Sequence, residues 1–122
     1  MKSYKDLEVY NLSVELFYLA HGFSLKLPKD ELYELGSQLR RSADSIPTNI
    51  VEGYGRKRYK ADFVKFLTYS RASCLETVFH VEKITKLYPD CYDGNDLLIE
   101  RYNELSAKLF NFIKFVDENW KA

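Results

Sequence analysis

Residues 45–63 read SIPTNIVEGYGRKRYKADF, and this stretch decides how the chain folds. Pro47 lies inside a helical pattern, Gly53 and Gly55 follow it, and four basic residues then crowd together. The stretch either breaks one helix into two, or it forms the end of one long helix and a turn that presents positive charge.

The apolar spacing around Pro47 favours one helix. A proline inside a helix removes a backbone hydrogen bond and costs about 3 kcal/mol, which would end the helix at Ile46. However, Ala43, Ile46 and Ile50 keep helical spacing across the proline, and Ile46 would be a poor N-cap for a second helix. We predict one helix that is kinked at Pro47 and ends near the two glycines, where glycine adopts the left-handed cap conformation.

Proline and glycine, which interrupt helices, fall in three clusters: Pro28, Gly53 with Gly55, and Pro89 with Gly94. They delimit four segments in which apolar residues recur at intervals of three and four. The stripes of the last three segments are Leu32, Leu35, Leu39, Ala43, Ile46 and Ile50; Phe63, Leu67, Ser70, Cys74, Val78, Val81 and Ile84; and Leu98, Tyr102, Leu105, Leu109, Phe112, Val116 and Trp120. Residues 1–122 are therefore predicted to form a single all-α domain, an up-and-down antiparallel four-helix bundle whose last helix opens at Asn95 or Asp96.

The first segment carries two apolar stripes. One consists of Leu7, Tyr10, Val14 and Phe17, and the other of Val9, Leu12, Leu16, Leu19 and Phe23. The stripes are two residues out of phase, which is about 200° of helix rotation, so they lie on opposite faces. A monomeric bundle needs only one apolar face per helix, and we therefore expect the second stripe to contact another subunit of a homo-oligomer.

Composition indicates a globular protein with a mixed-charge surface. Hydrophobic residues make up 46% of the 122 residues and charged residues 30%, and the formal net charge is zero. Any attraction to nucleic acid must therefore come from a local patch. The first residues, MKSYKDLEVY, lack the apolar core of a signal peptide, and no apolar run approaches the ~18 residues of a membrane span, so we expect a cytoplasmic protein without membrane association. Cys74 and Cys91 suggest two reduced thiols, with Cys74 in the core.

Motifs for catalysis, metals or cofactors are weak. Glu76 and His80 lie one helical turn apart, but isolated pairs at this spacing are common structural features, and the Glu-x-x-His pairs of di-iron bundles are missing. The GYGRK segment lacks the spacing of a phosphate-binding loop and has no preceding strand. We expect a protein that has no enzymatic activity, metal or cofactor.

The basic cluster is the strongest local feature. Six basic and two acidic residues between Arg40 and Lys60 give this segment a net charge of +4 in a chain that is neutral as a whole. Arginine with tyrosine suits phosphate contacts and base stacking. The candidate nucleic-acid-binding residues are Arg40, Arg41, Tyr54, Arg56, Lys57, Arg58, Tyr59 and Lys60. The alternative is a solvated corner whose cations interact with the carbonyls at a helix C-terminus.

Three stretches resemble a known family: YKDLEVYNLSVEL at residues 4–16, LGSQLRRSADSIPTNIVEGYGR at residues 35–56 and FVKFLTYSRASCLET at residues 63–77. They are similar to bacterial four-helix bundle proteins known as 23S rRNA intervening-sequence proteins or S23 ribosomal proteins. These in turn are similar to the accessory variability determinant protein of diversity-generating retroelements. The matching positions are Gln38, Arg40, Arg41, Pro47, Asn49, Glu52, Gly53, Gly55 and Arg56. Val51 departs from the pattern, since the family often has alanine there.

The resemblance implies a barrel-like homopentamer of kinked four-helix bundles without enzymatic activity. It also implies structural roles for Pro47, Asn49, Glu52, Gly53 and Gly55. The retroelement relative binds nucleic acid and reverse transcriptase through a basic surface, which makes RNA or DNA a candidate partner here.

Three hypotheses about function remain open, of which an enzyme is the one without a supporting motif. The first is an oligomeric accessory protein that binds nucleic acid through the basic cluster. The second is a protein-interaction scaffold whose basic corner binds an acidic protein partner. Binding measurements with structured RNA, single strands and duplex DNA across salt concentrations separate the first two.

Overall fold

The computed structural model describes residues 3–93 and 96–121 and contains four long helices. They are α1 (Glu8–Ser24), α2 (Leu35–Gly55), α3 (Lys60–Leu87) and α4 (Asp96–Asn119). No strand occurs within these two ranges, and the prediction of an all-α four-helix protein is confirmed. The predicted cap residue Asn95 and the predicted breaker Gly94 lie outside the described residues.

Each helix packs against its neighbours in chain order, and α4 closes the bundle by packing against α1. The connection between α2 and α3 has only four residues, 56–59, which forces these two helices to run antiparallel. At the first turn of α1, Asn11 donates through Nδ2 to the carbonyl oxygens of Lys5 and Leu7 and holds the preceding 3-10 turn against the helix. The order of the helix contacts and the short α2–α3 connection give the up-and-down arrangement that was predicted.

The predicted stripes supply most of the core. Four stripe residues of α2 are fully buried: Leu39, Ala43, Ile46 and Ile50. The matching residues of α3 and α4 are Phe63, Leu67, Ser70, Cys74, Val81, Ile84, Tyr102, Leu105, Leu109 and Val116. Leu32 differs from the prediction, because it follows a 3-10 turn at Lys29–Glu31 and precedes α2.

The two stripes of α1 have different environments. Val9, Leu16 and Phe23 are buried in the core, whereas Leu19 of the same stripe is 49% exposed. Tyr10, Val14 and Phe17 of the other stripe are half-buried. Together with Pro47 and Val51 of α2 they form the apolar part of a groove of about 260 Å³ on the outside of the bundle. Its lining also includes Tyr18, Asp44 and Thr48, and we call it the α1–α2 groove.

Helix α2 continues through Pro47 without interruption, as predicted. Proline has no N–H, so it cannot donate to the carbonyl oxygen four residues earlier. Side chains donate to three nearby backbone carbonyl oxygens: Thr48 to Asp44 at 2.8 Å, Asn49 to Ser45 at 2.9 Å, and Ser70 of α3 to Ile46 at 2.8 Å. The structural role expected for Asn49 is therefore a local hydrogen bond beside the proline.

The glycines at the end of α2 correct one expectation. Neither Gly53 nor Gly55 has a positive φ, so neither is a left-handed cap. At Gly53 an added Cβ would lie 3.1 Å from Cβ of Phe66 and 3.3 Å from Cδ1 of Phe63. A Cβ at Gly53 would be tightly packed because α3 lies close to α2 at this point, whereas nothing lies within 4 Å of a Cβ at Gly55.

Small polar side chains join α2 to α3 along the rest of the contact. Ser42 accepts a hydrogen bond from Thr77 at 2.9 Å, and Ser45 pairs with Ser73 at 2.8 Å. In each pair the two hydroxyl groups hydrogen-bond to each other, so α2 and α3 can pack closely without leaving buried polar groups unpaired.

Both cysteines are free, and Cys74 is fully buried, as predicted. Its thiol donates to the carbonyl oxygen of Tyr102 at 3.2 Å, and the hydroxyl of Tyr102 donates to the carbonyl oxygen of Leu16. Within the described ranges, no helix combines the length and the apolar character that a membrane crossing requires.

Candidate nucleic-acid interface

The structure divides the predicted basic cluster into two sets of residues. Arg40 and Arg41 lie in the second turn of α2, whereas Arg56 to Lys60 lie in the α2–α3 turn and at the start of α3. Because α2 is continuous, the sixteen positions from Arg40 to Arg56 span roughly 24 Å along the helix axis at about 1.5 Å per residue. The net charge of +4 is therefore spread over two ends of the bundle.

Arg40 is a structural residue. Its guanidinium donates through Nη1 to Oγ of Ser24 at 2.8 Å and through Nη2 to the carbonyl oxygen of Leu32 at 2.7 Å. These bonds join α2 to the end of α1 and to the connection between them. Half-buried and committed to two acceptors, Arg40 does not form a surface for phosphate.

Arg41 is exposed and contacts Oγ of Ser37 at 3.4 Å. With Gln38, Ser42, Glu76 and His80 it lines a polar groove of about 310 Å³ between α2 and α3. Gln38 accepts a hydrogen bond from Nζ of Lys83 at 2.9 Å. This groove is remote from the α2–α3 turn, so Arg41 does not contribute to that end of the bundle.

Arg56 is exposed, but carboxylates neutralise its charge. Its Nε lies 2.8 Å from Oε2 of Glu52, and its Nη1 lies 3.8 Å from Oδ2 of Asp62. The hydrogen bond to Glu52 and the charge of that carboxylate raise the pKa of Arg56. Its guanidinium also lies over the ring of Phe66 at 5.0 Å. Glu52 thus has a local role in orienting Arg56.

Tyr54 belongs to the core and is only 7% exposed. Its ring packs edge to face against Phe63 and Tyr4, and Nζ of Lys57 lies 3.9 Å from the ring centroid. The buried hydroxyl has no hydrogen-bond partner among the described residues. With its ring covered in this way, Tyr54 has no free face for base stacking, contrary to the expectation from its position in the sequence.

Arg58, Tyr59 and Lys60 are exposed at the α2–α3 turn. Arg58 lies 5.9 Å from the centroid of the Tyr59 ring, which is 62% exposed. Lys60 donates through Nζ to the carbonyl oxygen of Asp117 in the last turn of α4 at 2.9 Å. This is the kind of contact between a cation and the carbonyl end of a helix that the alternative interpretation of the cluster predicts.

Two residues near the C-terminal end of the sequence, Trp120 and Lys121, lie beside this turn. Trp120 donates through Nε1 to the carbonyl oxygen of Lys57 at 3.0 Å. With Lys57, Arg58 and Lys121 it lines a pocket of about 210 Å³, which we call the tryptophan pocket. We call residues 57–60 together with Trp120 and Lys121 the basic end. The antiparallel topology, which places the end of α4 beside the α2–α3 turn, is the signal that could have identified these two residues.

The polar groups that could serve a metal site are sparse. His80 and Glu76 form one pair, with 3.3 Å between Nε2 and Oε2. Throughout the part of the chain that the structure describes, no group of three or more His, Cys, Asp or Glu side chains is placed to hold a metal ion.

A family model described as 23S rRNA-intervening sequence protein matches residues 5–111. The match includes the α2–α3 turn and ends before Trp120 and Lys121. No curated protein matches the sequence.

Proposed function

The chain belongs to the family of 23S rRNA-intervening sequence proteins, and we propose that it is a non-enzymatic oligomeric protein that binds RNA or DNA through the basic end. This interface differs from the cluster predicted from the sequence. Arg40, Arg56 and Tyr54 are committed to contacts within the bundle, and Trp120 and Lys121 replace them.

The observation that carries the proposal is the convergence of cations without acidic partners. Among the described residues, no ion pair involves Lys57, Arg58, Lys60 or Lys121. Lys60 already donates to the carbonyl oxygen of Asp117, and Nζ of Lys57 lies over the Tyr54 ring, so the proposal depends most on Arg58 and Lys121. Phosphates would supply the negative partners that these cations lack, and each such contact releases counterions from the nucleic acid. Tyr59 and Trp120 add aromatic surface beside the cations, which suits nucleic acid better than a purely acidic protein surface.

The proposal of an oligomer rests on the α1–α2 groove. Tyr10, Val14 and Phe17 remain half-buried although the bundle is complete. A second subunit would remove this apolar surface from water, and a closed ring would repeat the basic end on every subunit. We favour a homopentamer in keeping with the family resemblance, in the cytoplasm, where free thiols such as those of Cys74 and Cys91 persist.

Nucleic-acid binding is tested by reversing charge at the basic end. The double variant Arg58→Glu with Lys121→Glu should lose binding to RNA and DNA, and the wild type should show a steep dependence on salt. Each phosphate contact adds about 0.7 to 0.9 to the slope of log K against log salt.

The matched control is Lys26→Glu with Lys29→Glu, which makes the same change in charge at exposed positions near the opposite end of the bundle. This control should bind as the wild type does. Absence of wild-type binding at about 50 mM salt would contradict the proposal and favour the protein-interaction scaffold, because phosphate contacts are strongest at low salt.

Assembly is tested by light scattering. The wild type should be a closed oligomer, and Val14→Glu in the α1–α2 groove should dissociate it, because a charge would be buried at the interface. The control is Leu75→Glu on the outer face of α3, where the leucine is 51% exposed and outside the groove. A wild-type monomer at micromolar concentration would contradict the proposal.

A further inference from the structure

The tryptophan pocket has an apolar interior and a cationic rim. Nearly all of its lining surface is apolar. Its four lining residues are Lys57, Arg58, Trp120 and Lys121, so this apolar surface must come from the indole ring and the methylene chains of the basic residues. The pocket therefore offers burial for an uncharged group next to positive charge.

The indole of Trp120 is held in place before any ligand arrives. Its Nε1 donates to the carbonyl oxygen of Lys57, and its ring packs edge to face on Phe63 with 5.1 Å between centroids. The backbone N–H of Trp120 donates to the carbonyl oxygen of Val116 at 3.0 Å. A ring fixed by two contacts of its own, on a backbone that is itself hydrogen-bonded, loses little conformational entropy when a second ring stacks on it.

The size and chemistry of the pocket indicate its ligand. At about 210 Å³ it is smaller than the ~300 Å³ lower bound of pockets for drug-sized molecules, so it suits one small planar group. A nucleobase is such a group, and within a nucleic acid it is attached to a phosphate chain that the cations of the rim can bind. In a duplex the bases are already stacked on one another and cannot enter without being flipped out.

We propose that the tryptophan pocket receives one unstacked base of a single-stranded nucleic acid, with Trp120 as the stacking surface and Arg58 and Lys121 on the flanking phosphates. The proposal rests on the proposed function and narrows its ligand class. It requires a preference for single strands over duplexes, which phosphate contacts alone do not produce.

Trp120 is the only tryptophan of the chain, so its intrinsic fluorescence reports directly on the pocket. Oligouridine and oligothymidine should quench this fluorescence on binding. A DNA duplex of the same length should bind more weakly and quench little. Inorganic polyphosphate, which has the charge without the bases, should compete for binding without quenching.

Trp120→Leu tests the stacking surface. We expect its affinity for single strands to fall roughly fivefold to hundredfold, as for the loss of one stacked base, while its affinity for duplex stays within about twofold. Phe79→Leu is the control, because Phe79 is an exposed aromatic side chain that also has a lysine beside it, with Lys83 over its ring at 5.2 Å, whereas Trp120 is half-buried. It lies nineteen residues along α3 from Lys60, roughly 28 Å away.

Arg58→Met with Lys121→Met provides a second variant in case Trp120→Leu fails to fold. Methionine keeps the apolar walls and removes the charges, so affinity for single strands and duplex should fall together while quenching at saturation persists. Loss of quenching at saturation would show that the apolar walls do not hold the base against Trp120 once the charges are removed. That result would contradict the proposal.

The possible outcomes separate this proposal from the proposed function. Equal binding of single strands and duplex without any change in Trp120 fluorescence would overturn the base pocket and leave nucleic-acid binding intact. No binding to any nucleic acid would overturn both. Quenching by a glutamate–tyrosine copolymer but not by oligonucleotides would identify the pocket as a protein-docking site and would also overturn the proposal.

Discussion

At the scale of the residue, neighbours decide the role that a side chain plays. Arg40 and Arg58 have the same chemistry, yet Arg40 donates to Ser24 and Leu32, whereas Arg58 is exposed beside the ring of Tyr59. Tyr54 and Tyr59 differ in the same way, because Tyr54 is buried and Tyr59 is 62% exposed. The identity of a residue therefore does not distinguish a contact within the bundle from a contact with a ligand.

Gly53→Ala should destabilise the protein, because the added methyl group would lie 3.1 Å from Cβ of Phe66. Overpacking of this kind costs about 1 to 3 kcal/mol of unfolding free energy. Gly55→Ala is the control: its Cβ meets nothing within 4 Å, and alanine improves helix propensity by up to about 1 kcal/mol. Urea denaturation of both variants measures the difference, and equal stabilities would contradict the packing role of Gly53.

Arg40→Met should lower the unfolding free energy by about 2 kcal/mol, since two hydrogen bonds from a charged donor are lost and their acceptors remain half-buried. Its affinity for nucleic acid should not change. Arg58→Met should do the opposite, with stability within about 0.5 kcal/mol of the wild type and weaker binding. Denaturation and binding curves on both variants check the division of the basic cluster; weaker binding by Arg40→Met would argue for one continuous surface.

At the scale of the element, α2 is organised around Pro47. The carbonyl oxygens of Asp44, Ser45 and Ile46 each accept a hydrogen bond from a side chain, one of them from Ser70 of α3. Prolines bend the helices that contain them. Pro47 also lines the α1–α2 groove. A change in the bend of α2 at Pro47 would therefore also change the proposed subunit interface.

Pro47→Ala should strengthen α2 and weaken assembly. Alanine restores a backbone donor and has a helix propensity about 3 kcal/mol better than proline. A straighter α2 would reshape the α1–α2 groove. Circular dichroism should report intact helix, and light scattering should report smaller assemblies; normal assembly of the variant would show that the proline is incidental to the interface.

At the scale of the whole molecule, the antiparallel topology builds the basic end. The α2–α3 turn lies near the middle of the chain, and Trp120 lies near its end, yet the indole Nε1 and the carbonyl oxygen of Lys57 are 3.0 Å apart. Lys60 adds a second link to the last turn of α4. Helix packing thus assembles a surface from residues that are distant in the sequence.

The whole fold should lose stability at alkaline pH. Burial raises the pKa of the Cys74 thiol to about 12 and that of the Tyr92 hydroxyl to about 12, and it also raises the pKa of Tyr102. In the unfolded chain these groups ionise near ~8.5 for cysteine and ~10 for tyrosine. Above these values the unfolded state loses protons that the folded state keeps, so stability falls as pH rises toward the folded-state pKa values and is unaffected by these groups below about pH 8.

Denaturation from pH 7 to 11 measures this loss. Cys74→Ala should reduce the part that develops between about pH 8.5 and 9.5, because tyrosine in the unfolded chain is still mostly protonated there. A variant with the same pH dependence as the wild type would show that the thiol makes no contribution.

Most of the core was predictable from local patterns. The stripe of α2 keeps its spacing through Pro47, and a helix presents residues at intervals of three and four on one face whatever packs against it. Leu39, Ala43, Ile46 and Ile50 are accordingly buried. The end of α2 was predicted at the correct residues, but the left-handed glycine cap was wrong. Gly53 instead lies against Phe63 and Phe66 of α3, which is a tertiary contact.

The sequence by itself determined the four helices, their order and the apolar faces that form the core, because these depend on backbone propensity and spacing along one helix. Only the tertiary structure decided which cations remain available. Arg40 donates to Ser24 at the end of α1, whereas Lys57 and Arg58 line a pocket with Trp120 and Lys121. These contacts depend on distances between different elements, and those distances exist only once the helices have packed.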